Sequence, residues 1–328
     1  FEVYGLGNVT VDLNYIVVAI KKTEGSDPEI SNQDPRVIAP NSTDACVAVA
    51  PGAYAVVGAS ATTSANGNLE VDAVAVDLSF YNELEEPGTQ TVAIELPKDG
   101  GALLLDTATI VEAQVGIAYS LDPGRFSATS NDSSQYFCEA STTGLFDGTA
   151  ADTGDGLGTP GQANDLCPWS CLDGSTVRDV VAPTSGDLML TEIMPKAANS
   201  QDWDDWIEVK ILGSNFDLNG LIVKNIKLSN DNERAWRIAK TECIRPATGS
   251  YVVLGGANAI LPDGIPLSGT FQYVDGDSNK TTVIWDDDAN LSIQLDDESN
   301  TVIVAAVTYP TPNYADAYSY DEAAGAWC

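Results

Sequence analysis

The sequence predicts an all-β protein, and three observations predict it. Its apolar residues fall in short β-branched runs bounded by Gly, Pro, Asn and Asp. No long window keeps a capped helical period. The opening part of the chain also returns, in order, about 200 residues later.

Taken in order, the elements read as follows. Phe1, Val3 and Leu6 alternate with polar or small neighbours and meet a turn at Gly7-Asn8, so the chain opens on a strand. YIVVAI (Tyr15–Ile20), AYAVVGAS (Ala53–Ser60), VDAVAVDLSF (Val71–Phe80) and TVAIEL (Thr91–Leu96) are strands of ordinary length. LIVKNIKL (Leu221–Leu228), SYVVLGG (Ser250–Gly256) and TVIVAAVTY (Thr301–Tyr309) are strands of the same kind. Many short strands with turns between them favour a β-sandwich in each repeat.

The repeat is explicit in the residues. FEVYGLGNVTVDLNYIVVAI from Phe1 lies beside IEVKILGSNFDLNGLIVKNI from Ile207. Arg36–Gly58 matches Trp236–Gly255, which sets Cys46 against Cys243. Thr91–Asp106 matches Leu291–Ala306 as a hairpin pattern in both. AYSLDPGRF from Ala118 matches AYSYDEAAG from Ala317, and Phe137-Cys138 matches Trp327-Cys328. The segment Glu139–Trp206 occurs once, as the joint.

Composition bounds the function. The 328 residues suffice for about two domains, and 44% hydrophobic content supports packed cores. The net charge of −33 repels phosphate backbones, so nucleic acid is not an expected partner. No apolar run is long enough to span a membrane as a helix. The sequence has no His, which removes Ser-His and Cys-His nucleophilic systems. Carboxylate chemistry stays open, but 48 acidic residues single out no pair, so an enzyme is not expected.

The six cysteines, Cys46, Cys138, Cys167, Cys171, Cys243 and Cys328, form an even set and read as an extracellular disulfide framework. Equivalence between repeats favours Cys46–Cys138 and Cys243–Cys328, one bond inside each repeat. Cys167 and Cys171 (CPWSC) are left to close a short loop, or to bond another molecule.

GDLMLTEIMPKAANSQDWDDWIEVKILGSNFDLNGLIV (Gly186–Val223) resembles the opening of a lamin-tail domain. YSLDPGRFSATSNDSSQYFC and LGTPGQANDLC (Leu157–Cys167) resemble its C-terminal part in secreted bacterial proteins. The resemblance implies two tandem immunoglobulin-like sandwiches. One spans residues 1–167 and lacks its first strand; the other spans 186–328 and lacks its C-terminal tail; residues 168–185 are a linker. It further implies non-catalytic modules of secreted or surface proteins, of bacterial origin. The missing first strand would come from preceding residues or from a neighbouring copy.

The motifs also serve the fold directly. Asp217-Leu218-Asn219-Gly220 suits an Asx-type turn with Leu218 as a buried anchor, Pro195 suits a strand end, and Gly158–Gly161 suits a turn. Asp147, Asp152 and Asp155, spaced along a Gly-rich loop, are candidate Ca²⁺ ligands, and no cofactor other than calcium is expected. Asp275 and Asp277, and Asp286, Asp287 and Asp288, are similar. Trp206 is expected in the core and Trp203 on the surface. Asn8, Asn41, Asn131, Asn279 and Asn290 fit the glycosylation sequon.

The leading expectation is therefore an extracellular structural protein, whose tandem repeats belong to a surface fibre or filament assembled by strand addition at an open sheet edge. Its partners would be other copies of itself or neighbouring repeats of a longer chain. The alternative is a binding or targeting module of a larger secreted hydrolase or nuclease.

Overall fold

A computed structural model describes residues 1–23, 31–32, 35–41, 46–78, 89–111, 116–140, 143–147, 155–195, 205–256, 267–273, 284, 289–297, 300–311 and 317–328. The described elements are strands with three short 3₁₀ turns, so the all-β expectation holds. The chain divides into two compact units, Phe1–Cys167 and Pro168–Cys328.

In the first unit, Glu2–Tyr4 pairs antiparallel with Tyr54–Gly58, which runs parallel to Ala73–Val74, which pairs with Ala39–Pro40. A second sheet orders Gly101–Val111, Thr89–Lys98, Val17–Thr23 and Ser31–Asn32, with Arg36–Val37 also on Val17–Thr23. Its edge hairpin turns at Asp99-Gly100, where Gly100 takes φ 85°, a left-handed value that glycine adopts without a Cβ clash. Val18, Ile20 and Val92 from this sheet meet Ala55, Val57 and Ala73 from the other in one core.

The second unit repeats these pairings. Trp206–Ile211 pairs with Tyr251–Gly255, which runs parallel to Gly269–Tyr273, which pairs with Glu233–Ala239. Ile222–Lys227 lies between Glu233–Ala239 and Ala289–Asp297, and the latter pairs with Asn300–Tyr309. Three further strands extend the sheet: Leu188–Met194 pairs with Trp206–Ile211 on one side and Tyr318–Asp321 on the other, and Tyr318–Asp321 pairs with Ala326–Trp327. Leu190, Val209, Leu218, Val223, Trp236, Leu254 and Ile293, each at most 3% exposed or fully buried within a few per cent, share a single core. Trp206 is buried as expected, and the strand Leu188–Met194 stops directly before Pro195.

The structural equivalence differs from the sequence alignment by one residue at the hairpin. Val18 is opposite Ile94 in the first unit, and Val223 is opposite Ile293 in the second. The register shifts directly after Ile94 in one hairpin and directly after Ile293 in the other. Ile94 therefore corresponds to Ile293, and Val92 to Leu291, whereas matching Thr91 to Leu291 sets buried Val92 against Ser292. Side chains alternate faces along a strand, so burial selects the shifted register.

Two expectations are corrected. Residues 168–185 are not merely a linker: Ser170–Asp173 and Thr176–Asp179 form an antiparallel ribbon that belongs to the second unit. The disulfides are Cys138–Cys167 and Cys171–Cys243, not Cys46–Cys138, Cys243–Cys328 and Cys167–Cys171. Cys46 and Cys328 are free and exposed. The repeat shows which cysteines are equivalent, but each bond joins a repeat cysteine to one of the connector, the joint Glu139–Trp206, with Cα atoms 5.7 and 4.9 Å apart. Two disulfides fit an oxidising, extracellular setting. No described helix is long and apolar enough to cross a membrane.

Replacing Leu254, fully buried in the second core, is expected to be far costlier than an exposed change. Leu254→Ala should lose about 2–5 kcal/mol in urea unfolding, while Leu228→Ala, 47% exposed, should stay within about 0.5 kcal/mol.

Candidate functional site

The most concentrated polar chemistry among the described residues lies where the connector meets the second unit. Asn219 shapes the receiving loop: its Nδ2 donates to the Lys240 and Glu242 carbonyls, and its Oδ1 accepts from the Ile244 amide at 2.6 Å. This holds Cys243 for its bond to Cys171. The ribbon then adds backbone contacts, Leu172 N to Thr241 O at 2.8 Å and Cys243 N to Leu172 O at 3.1 Å. Gly220, at φ 77°, is required here, because a Cβ would sit 2.3 Å from the Pro168 carbonyl oxygen.

Asp217 is the electrostatic centre. Its fully buried carboxylate receives the Arg178 guanidinium in two parallel bonds, 2.7 and 2.9 Å, and the Val181 amide at 2.8 Å. Arg245 approaches at 3.3 Å. Burial alone would raise its pKa, but the bonds from Arg178 and Val181 and the charge of both arginines hold it below the usual carboxylate range. Arg178 is pushed upward by the same bond and by Asp173. Cys171, Asp217 and Cys243 bring candidate ligand atoms within 4.8 Å of one another. Both sulfurs are consumed in the disulfide and the carboxylate faces arginine, so the cluster is a mechanical pin and not a metal centre.

The first unit has a pin of its own. Buried Asp122 accepts from Gly124 N at 2.7 Å and from Cys167 N at 3.3 Å. Asn164 Nδ2 donates to the Leu121 carbonyl at 2.9 Å, so the GTPGQAND segment straps across the strand that leads to Cys138. The Gly161 amide donates to Glu2 Oε2 at 2.6 Å. Burial pushes the Glu2 carboxyl up to about 7, nearby Asp72 adds to the rise, and the Gly161 bond opposes it.

Of the calcium candidates, Asp147 and Asp155 are register partners in a two-stranded ribbon, and Asp152 lies outside the described residues. Asp275, Asp277, Asp286, Asp287, Asp288, Trp203 and Asn279 also lie outside them. Asn8 is exposed, whereas the side chains of Asn41, Asn131 and Asn290 are engaged with Val71 O, Asp106 and Thr308 respectively. No local sequence pattern marks Arg178 or Glu2 as a polar partner. Asp122 had a visible signal, since YSLD recurs as YSYD at Asp321.

No family model, no curated protein and no solved structure matches the chain.

Asp217→Asn should cost about 2–3 kcal/mol at neutral pH by chemical denaturation, because Arg178 keeps its charge against a neutral partner. The Asp217 pKa is lowered on folding, so its contribution is present above the ordinary carboxylate value and is lost as pH falls. The gap between wild type and variant should therefore close as pH falls below the ordinary carboxylate value of about 4. Glu2 has the opposite sign. Its folded pKa is raised, so its contribution is complete below 4.5 and lost as pH rises through about 7. Glu2→Gln should flatten that slope in a pH series of first-unit stability, worth about 1–2 kcal/mol after discounting for solvent.

Proposed function

We propose that this is a non-catalytic extracellular structural protein of a bacterial surface, a fibre or filament component built from tandem lamin-tail-like, immunoglobulin-like sandwiches. One observation supports the reading: the same strand-pairing scheme occurs twice, and an edge strand paired on both sides in the second unit has a described partner on one side in the first. Trp206–Ile211 has a strand on each side, Leu188–Met194 and Tyr251–Gly255. Its equivalent, Glu2–Tyr4, is paired with Tyr54–Gly58 alone among the described residues.

The bonding phase makes that edge specific. Phe1 and Val57 exchange bonds, and Gly5 N donates to Ala53 O, so the backbone groups of Glu2 and Tyr4 point outward. The equivalent groups of Glu208 and Lys210 face Glu192 and Met189 in the second unit. An outward row of groups with no described partner can accept an added strand, and strand addition between copies joins subunits through main-chain bonds. The charge of −33 opposes association at low ionic strength, so assembly strengthens as salt screens it.

Light scattering of the purified chain tests this. Association should grow with concentration and salt, and a peptide spanning Leu188–Met194 should bind the first unit and cap assembly. A chain that stays monomeric and ignores the peptide would sink the proposal.

A further inference from the structure

We propose that the Cys46 end of the first unit is a covalent docking site for a β-ribbon carrying a cysteine and, seven residues later, an arginine. That is the chemistry with which Cys171 and Arg178 close the second unit. The docking stands on the disulfide geometry and holds whether or not the chain forms filaments.

The equivalence is set by backbone bonds. Leu13 N donates to Val47 O at 2.9 Å, as Leu218 N does to Ile244 O at 3.0 Å. Tyr15 N donates to Ile38 O at 3.0 Å, as Gly220 N does to Ile238 O at 2.9 Å. Ile38 N returns to Ile16 O, as Ile238 N returns to Leu221 O. Cys46 thus occupies the position of Cys243, and Asp12 that of Asp217. In the second unit this end lies under the ribbon, with Asp217 and Cys243 bonded to it. In the first, Cys46 and Asp12 are exposed, beside Val11 at 43%, Val37 at 51% and Tyr15 at 78% exposure. Thiol, carboxylate and apolar contacts stand ready for the same kind of ribbon.

The other exposed thiol follows the same rule. Cys328 and Ser319 exchange backbone bonds at 3.0 and 2.9 Å, the pairing that Cys138 makes with Ser120. Cys138 is bonded to the connector through Cys167, and Cys328 is not bonded. Both free thiols are therefore those whose counterparts take a connector cysteine. The ribbon for Cys46 comes from outside Phe1–Cys328, because Ser170–Asp179 is already committed to Cys243. Tyr15 replaces Gly220, so that ribbon takes a path unlike that of Pro168 as it enters.

Closure is thiol–disulfide exchange. The Cys46 thiolate attacks the ribbon sulfur of a mixed disulfide between the ribbon and a small organic thiol. A new protein–ribbon S–S bond forms, the old one breaks, and the small thiol leaves, taking up the proton Cys46 gave up.

The test uses the full chain and a synthetic peptide spanning Ser170–Val181, activated at Cys171 as its thionitrobenzoate mixed disulfide. Thiol release is followed by absorbance and the modified cysteine located by mass spectrometry, with Cys46→Ser identifying the signal. Docking predicts that Cys46 reacts roughly 10-fold faster with this peptide than with a scrambled one, through raised effective concentration. Asp12→Asn in the protein, or Arg178→Asp in the peptide, should remove most of that advantage. Equal rates for the two peptides at Cys46 would overturn the proposal. So would spontaneous pairing of Cys46 with Cys328 of a second copy in preference to the peptide.

Discussion

Everything in each unit hangs on the register of one strand pair: Val18 opposite Ile94 in the first, Val223 opposite Ile293 in the second. A slip of one residue would carry Val92 and Leu291 out of their cores and bring polar neighbours in. The register shift just after the paired isoleucine occurs at the same place in both hairpins. It lets the outer part of each hairpin depart from the alternation that the core imposes. Leu103, Leu104 and Leu105 in the first hairpin are each more than two-fifths exposed, and Ile303 in the second is 54% exposed.

The connector is the second organising feature. Chain entropy is restrained at two points four residues apart, Cys167 on the first unit and Cys171 on the second. Each bond is backed by a buried aspartate that binds connector backbone: Asp122 takes the Cys167 amide, and Asp217 takes the Val181 amide with Arg178. A buried carboxylate is tolerated only when its lone pairs are filled, so these acids make connector docking a condition of burial. In a chain of charge −33, Arg178 and Arg245 both turn to Asp217.

Repetition explains both the order and the open positions of the molecule. Leu188–Met194 completes the second sheet beside Trp206–Ile211, while the outer edge of Glu2–Tyr4 has no described strand partner. The connector ribbon covers Asp217 and Cys243, while Asp12 and Cys46 are bare. The same surface thus occurs once in use and once exposed, and the used copy states what chemistry the exposed one accepts.

By itself the sequence determined the all-β class, the repeat, and anchors such as Leu218, Gly220, Trp206 and Pro195. These follow from local rules: strand propensity, turn chemistry and the period of apolar residues. The tertiary structure alone decided the cysteine pairing, the role of residues 168–185 and the hairpin offset. Equivalence between repeats shows which cysteines are alike, but a bond needs two Cα atoms within reach, and that depends on where the connector lies. Arg178 and Asp217 are 39 residues apart in sequence, and no local pattern marks them as partners. Only burial of the carboxylate beside the docked ribbon makes one required by the other.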